Sequence, residues 1–231
     1  MLDQALHDYL KTFLTERRLN LFERILSQRT RHFTVVTEDV YQLHNTSAVM
    51  RTCDVFGVQD LHVVEEKLGK SIDKEIAMGA QKWVNLNRST SIKASLESLR
   101  AQGYQIVATT PHKNATYLHD FDVTKKSAFF FGTEKEGLSE YVLENADSAL
   151  KIPMYGFTES LNISVSAAII LQDVVTRLHQ SNVKWELSEI EKQELTLQWM
   201  KNTIKNPEEI IDRYYEDLDI GVNEKEQNSN N

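Results

Sequence analysis

Residues 152–166 read Ile152-Pro-Met-Tyr-Gly-Phe-Thr-Glu-Ser-Leu-Asn-Ile-Ser-Val-Ser166. The stretch Ala149–Ile152 has the length and composition of a short strand, and Pro153, with no backbone N–H for a ladder, ends it. Asn162 is a residue type favoured at helix N-caps. Beyond it Ile163, Ala167, Ile170, Leu171, Val174 and Leu178 recur at helical spacing, which predicts a helix from Asn162 to about His179 with one apolar face. A strand, a polar loop and a long amphipathic helix in succession form the repeating unit of an α/β domain.

The same alternation extends toward the N-terminus. Phe33–Val36, Leu61–Val64, Gln105–Ala108 and the unbroken apolar run Ala128–Phe131 read as strands. A helix is expected from a capping Asn45 to Phe56, closed by Gly57, and another over Ile92–Gln102, closed by Gly103. Apolar strands alternating with helices imply a parallel sheet covered on both faces. Ligands of such sheets bind beyond the carboxyl ends of the strands, so the loops after Ala108, Phe131 and Ile152 are the informative ones. Helices flank this core. Leu6, Leu10, Phe13 and Leu14, then Leu21, Phe22, Ile25 and Leu26, mark two within residues 2–28, and two more are expected at about 186–204 and 207–216. The expected organisation is a helical, arginine-bearing extension over residues 1–32 and an α/β domain over 33–181. A helical extension over 182–216 and an unstructured acidic tail over 217–231 complete it.

Across 231 residues the net charge is −8, which taken whole disfavours a nucleic-acid partner. The distribution reverses that inference. Residues 206–231 hold eight acids against Arg213 and Lys225, whereas residues 11–32 hold Lys11, Arg17, Arg18, Arg24, Arg29 and Arg31 against Glu16 and Glu23. A basic N-terminal stretch masked by an acidic tail suits a polyanion, although a solvated helix face has the same charge pattern. The opening MLDQALHDYLK carries two acids and no apolar core of signal type, and no apolar run approaches the ~18 residues of a membrane span. Cys53, the single cysteine, makes no intrachain disulfide, which fits a cytoplasmic protein and a small buried side chain rather than a nucleophile.

Several familiar sites fail on inspection. Gly132 and Gly137 have P-loop spacing, but Leu138 stands where such a loop needs Lys. No G-x-G-x-x-G follows a strand, G-x-S-x-G is missing, and the seven histidines show no metal-ligand spacing, so no metal is expected. Three segments hold polar residues in unusual places. They are His44-Asn-Thr-Ser-Ala-Val-Met-Arg51, Phe131-Gly-Thr-Glu-Lys-Glu-Gly-Leu-Ser139, and the stretch from Ile152 to Ser166.

In this order and spacing, the three segments resemble the motifs of the SpoU-type branch of the SPOUT methyltransferases, over about residues 44–175. Within the branch the chain is similar to the enzymes that methylate guanosine 18 of the tRNA D-loop. The arginine-bearing N-terminal helices leading to Phe33-Thr-Val-Val-Thr-Glu-Asp-Val40, and Gln81-Lys-Trp-Val84, share in that similarity. The resemblance implies a trefoil-knotted α/β fold, a homodimer, and S-adenosylmethionine as methyl donor to a tRNA ribose 2′-oxygen. The knot belongs to the kinship alone, because connectivity rules make threaded chains improbable. By motif position, Thr109, Gly132, Ile152 and Leu161 would line the cofactor site, and Arg51, Asn45, Glu134, Asn162 and Ser160 would serve catalysis.

The resemblance implies that Arg51 acts as a base on the 2′-hydroxyl; a guanidinium as a chemical class holds its proton, which favours instead a role in clamping the adjacent phosphate and stabilising the forming alkoxide. Glu134 would orient Arg51 or Asn45, and Ser160 would shape the substrate loop. Arg17, Arg18, Arg24, Arg29 and Arg31 would contact tRNA phosphates. The basic cluster of relatives after the third motif is reduced here to Thr176-Arg177-Leu178. Plainer readings stand beside these: Asn45 and Asn162 as N-caps, Gly132 as a turn glycine, Arg51 as a surface residue, Glu134 as solvated loop charge. Two other functions remain compatible with the motifs: 2′-O-methylation of ribosomal RNA or another tRNA nucleotide, and a silent RNA-binding protein with a methyltransferase fold.

Overall fold

The computed structural model describes residues 3–40, 43–66, 79–111 and 114–229, with side chains described outside 43 and 219–229. Two compact units emerge, Gln28–Leu187 and the pair of segments Met1–Ser27 and Ser188–Asn231.

The first unit is built on strands β1 (Phe33–Glu38), β2 (Asp60–Val64), β3 (Asn85–Ser89), β4 (Gln105–Thr109), β5 (Thr116–Tyr117), β6 (Ser127–Phe131) and β7 (Ser148–Lys151). They form one sheet in the order β3-β2-β1-β6-β4-β7-β5, every pairing parallel. Helices α3 (Leu43–Val55) and α6 (Ile163–His179) cover one face; α4 (Ile92–Ala101) and α5 (Glu140–Asn145) cover the other. Successive strand side chains point to opposite faces, so Phe129 and Phe131 join the α3–α6 side while Ala128 and Phe130 join the α4–α5 side. An unbroken apolar run is what burial on both faces demands.

Helix ends follow local chemistry. Gly57 (φ +73°) closes α3: Val58 N donates to Cys53 O at 2.9 Å and Gly57 N to Asp54 O at 3.3 Å, a Schellman pair that needs a left-handed residue. At the other end α3 starts at Leu43, so Asn45 lies inside its first turn and is not the expected cap. Among the described strands and α-helices, three go beyond the sequence expectation. β3 and β5 are edge strands, one polar (Asn85-Leu-Asn-Arg-Ser89) and one two residues long, and α5 is a six-residue helix capped by Ser139. Edge strands and short helices bury little, so little apolar pattern marks them.

The second unit comprises α1 (Gln4–Lys11), α2 (Glu16–Leu26), α7 (Glu189–Thr203) and α8 (Pro207–Ser229). Trp199, Phe22, Leu6 and Leu10 form its buried centre, with Phe22 and Trp199 edge to face at 5.5 Å. The two terminal extensions expected as separate pieces therefore make one unit. The boundaries also move: residues 28–32 and 182–187 belong with the sheet, where Thr30 Oγ1 donates to Trp185 O at 2.7 Å. The tail expected to be unstructured is helical as far as Ser229, in keeping with its Glu, Lys and Gln content.

Candidate active site

The loops following β4, β6 and β7 converge on a cleft of about 340 Å³ at the carboxyl edge of the sheet. Thr109–Pro111 form one wall, Phe131–Leu138 a second, and Leu150–Ile152 with Met154 and Glu159–Leu161 a third. Ile163, Ser166 and Ile170 of α6 also line it. All four residues assigned to cofactor binding, Thr109, Gly132, Ile152 and Leu161, line this cleft, as do Glu134 and Ser160. The Thr109 hydroxyl is already committed, donating to Phe130 O at 2.7 Å.

Gly132 is fixed by its own turn. Thr133 and Gly137 exchange backbone hydrogen bonds of 3.0 Å, and a Cβ at 132 would stand 2.0 Å from Gly137 O. Buried Glu38, at the end of β1, holds the same turn by accepting from Ser139 N at 2.9 Å. In the sequence Glu38 is marked only as an acid at the end of a strand carrying Phe33, Val35 and Val36.

Tertiary folding joins the three motifs through their amides and carboxylate. Asn45 Nδ2 and Asn162 Nδ2 both donate to Glu134 Oε1, at 3.0 and 2.6 Å, and Asn162 Nδ2 also lies 3.0 Å from Asn45 Oδ1. Asn162 Oδ1 meanwhile caps α6, accepting from Ser164 N at 2.9 Å. Capping and site-building thus coexist in one side chain. Asn45, 3 % exposed, is held by this network rather than by a helix terminus. Ser160 is exposed on the loop wall.

Arg51 makes no hydrogen bond to this network. Six residues beyond Asn45, it lies about 120° around α3 at 100° per residue. It is exposed and makes no hydrogen bond or ion pair among the described residues.

The SpoU rRNA Methylase family model matches residues 32–172, which contain all three motifs, the sheet and most of α6. The chain belongs to the SpoU methylase family. It is 39 % identical over 197 residues to a tRNA (guanosine(18)-2'-O)-methyltransferase of Borreliella burgdorferi, spanning 85 % of this chain and 90 % of the relative. The crystal structure of the Aquifex aeolicus TrmH/SpoU tRNA modifying enzyme superposes with a TM-score of 0.73 at 33 % identity, covering 82 % of this chain and 98 % of that one. The SpoU methyltransferase AviRb of Streptomyces viridochromogenes, solved with the cofactor AdoMet, gives a TM-score of 0.59 at 25 % identity over 69 % of this chain and 65 % of that one.

The five arginines assigned to RNA divide within this SpoU chain. Arg17, Arg18 and Arg24 are exposed on α2. Arg29 is 1 % exposed and its guanidinium pairs with Asp54, so its assignment to tRNA phosphates is corrected to a structural one. Arg31 is intermediate, its Nε donating to Asp60 Oδ2 at 2.9 Å. Arg177 is likewise committed, bonding Asp173 and the carbonyls of Phe121 and Leu118. Burial pushes the Cys53 thiol up to about 12, which keeps it protonated and unreactive.

Proposed function

We propose that this SpoU protein transfers a methyl group from S-adenosylmethionine to the ribose 2′-oxygen of guanosine 18 in tRNA. The observation carrying this reading is the network in which Asn45, Glu134 and Asn162, one from each motif, meet beside the cleft. The cleft fits the donor: its volume of about 340 Å³ lies within the usual range for small-molecule sites. Leu138, Ile152, Leu161 and Ile170 offer apolar walls, and the strand-end loops offer backbone donors and acceptors. S-adenosylmethionine supplies an electrophilic methyl on sulfur, so the chain's own work is positioning and charge management.

The two asparagine amides fix Glu134, and Asn162 ties that carboxylate to the N-terminus of α6. Arg51, unpaired within the described residues, is left to clamp the phosphate beside the target ribose and stabilise the oxyanion. Arg17, Arg18 and Arg24 add sequence-independent phosphate contacts. A homodimer completes the RNA surface. Its support is an exposed apolar stripe on the loop–α6 junction, Leu161, Val165 and Ile169 at four-residue spacing, with exposed Val55 on α3, which packs against α6. A solution mass of one chain would remove that part of the proposal. No described helix is long and apolar enough to cross a membrane, and the protonated lone thiol suits a cytoplasmic site of action.

Mapping 2′-O-methyl groups in tRNA from a strain lacking the gene tests the reading, with labelled methyl transfer by the purified protein as its complement. Loss of the methyl at guanosine 18 is expected, and loss elsewhere in tRNA or ribosomal RNA would overturn the assignment. Arg51→Ala should lower turnover by about 10²–10³-fold while cofactor affinity holds. A wild-type protein that binds cofactor yet transfers nothing would favour a silent RNA-binding role.

A further inference from the structure

The loop between β7 and α6 carries two aromatic rings that the fold leaves in water. Tyr155 is 97 % exposed and Phe157 107 %. They interleave with residues that wall the cleft, Met154 before them and Glu159, Ser160 and Leu161 after. Glu159 makes no hydrogen bond or ion pair among the described residues. An unneutralised carboxylate repels phosphate, so in a site for RNA it suits only groups that donate hydrogen bonds.

We propose that Tyr155, Phe157 and Glu159 hold the base of the target nucleotide, the rings by stacking and the carboxylate by accepting from the N1–H and exocyclic N2–H₂ of guanine. Guanine alone among the four bases presents two adjacent donors on its Watson–Crick edge, and a carboxylate, with two acceptor oxygens, matches them. Adenine and cytosine place an acceptor next to their amino group, and uracil flanks a single donor with two acceptors; each sets a lone pair against Glu159. A 2′-hydroxyl inside a folded RNA loop reaches a cleft at the edge of the sheet when its nucleotide leaves the stack, and aromatic rings replace the neighbours it loses. This rests on the guanosine-18 reading and specifies how that site selects its base.

The test compares tRNA transcripts bearing guanosine or inosine at position 18, inosine lacking only the 2-amino group. Methyl transfer, cofactor binding by equilibrium dialysis and solution mass are measured for the wild type and for Glu159→Gln, Tyr155→Ala, Phe157→Ala and Phe157→Trp. The wild type should prefer guanosine over inosine by roughly tenfold, and Glu159→Gln should bring that ratio near one by losing rate on guanosine. Each alanine variant should raise KM for tRNA by roughly tenfold with cofactor affinity and mass unchanged, while Phe157→Trp retains activity. An unchanged guanosine-to-inosine ratio in Glu159→Gln overturns the base-reading role. Alanine variants that change solution mass would instead assign the rings to contact with a second copy. A wild type inert on guanosine-18 tRNA overturns the parent reading and this inference together, whereas an active wild type with insensitive variants overturns this inference alone.

Discussion

Arg29 and Arg17 lie twelve positions apart and have opposite fates. Arg17 projects from α2 into water, whereas Arg29 is buried and donates to Asp54, with burial drawing its pKa below the usual value and Asp54 opposing that shift. Removing one member of a buried pair leaves the other desolvated and unpaired. Arg29→Ala should therefore cost about 3 kcal/mol of stability in urea unfolding, the low end of the usual range because the Asp54 side chain is 32 % exposed. Arg17→Ala should leave stability within about 0.5 kcal/mol and weaken tRNA binding in a salt-dependent way. Equal stability losses in the two variants would contradict this division. Charge counting gave both arginines the same role, because nothing in a lone residue type tells a buried guanidinium from a solvated one.

At the scale of elements, the β6–α5 turn positions the site. Gly132 follows β6, Thr133 and Gly137 close the turn, and Glu38 of β1 pins Ser139 from the neighbouring strand. The Cβ of Gly132→Ala would meet Gly137 O, a backbone atom that cannot swing aside. The turn must then open, at about 1–3 kcal/mol as for other overpacking. A fall in thermal midpoint together with weakened S-adenosylmethionine binding is expected in calorimetry and dialysis, and a variant with unaltered cofactor affinity would separate the turn from the cofactor site. The sequence offers Gly132 both as a cofactor-lining residue and as a turn glycine, and the constraint that the structure places on it is a turn carbonyl five residues on. Likewise Asn162 was legible as a cap, while Asn45, taken for another, is held through Glu134 and Asn162, far away in sequence.

For the whole molecule, four histidines share one sign. His7, His32, His62 and His179 all have pKa values lowered from 6.5, with burial the leading cause for each. Below pH 6.5 the unfolded chain therefore binds protons that the native state refuses, so stability falls as pH drops through that value. The carboxylates with shifted values, Asp3, Asp8 and Asp122, are lowered from 3.8 and act only in stronger acid. Urea midpoints should decline between pH 7 and pH 5, and His62→Gln should flatten that decline; a flat wild-type profile would refute the linkage. Local patterning along the chain is enough for the α/β class, the five strands with strong apolar pattern, the capped helix after β7, and the family through three short motifs. Each is a matter of local periodicity or residue type at fixed spacing. Long-range packing, by contrast, makes one unit of the terminal helices, buries Arg29 and joins Glu134 to two asparagines. These depend on which surfaces are brought together by burial of both sheet faces, and chain separation conceals that from any local pattern.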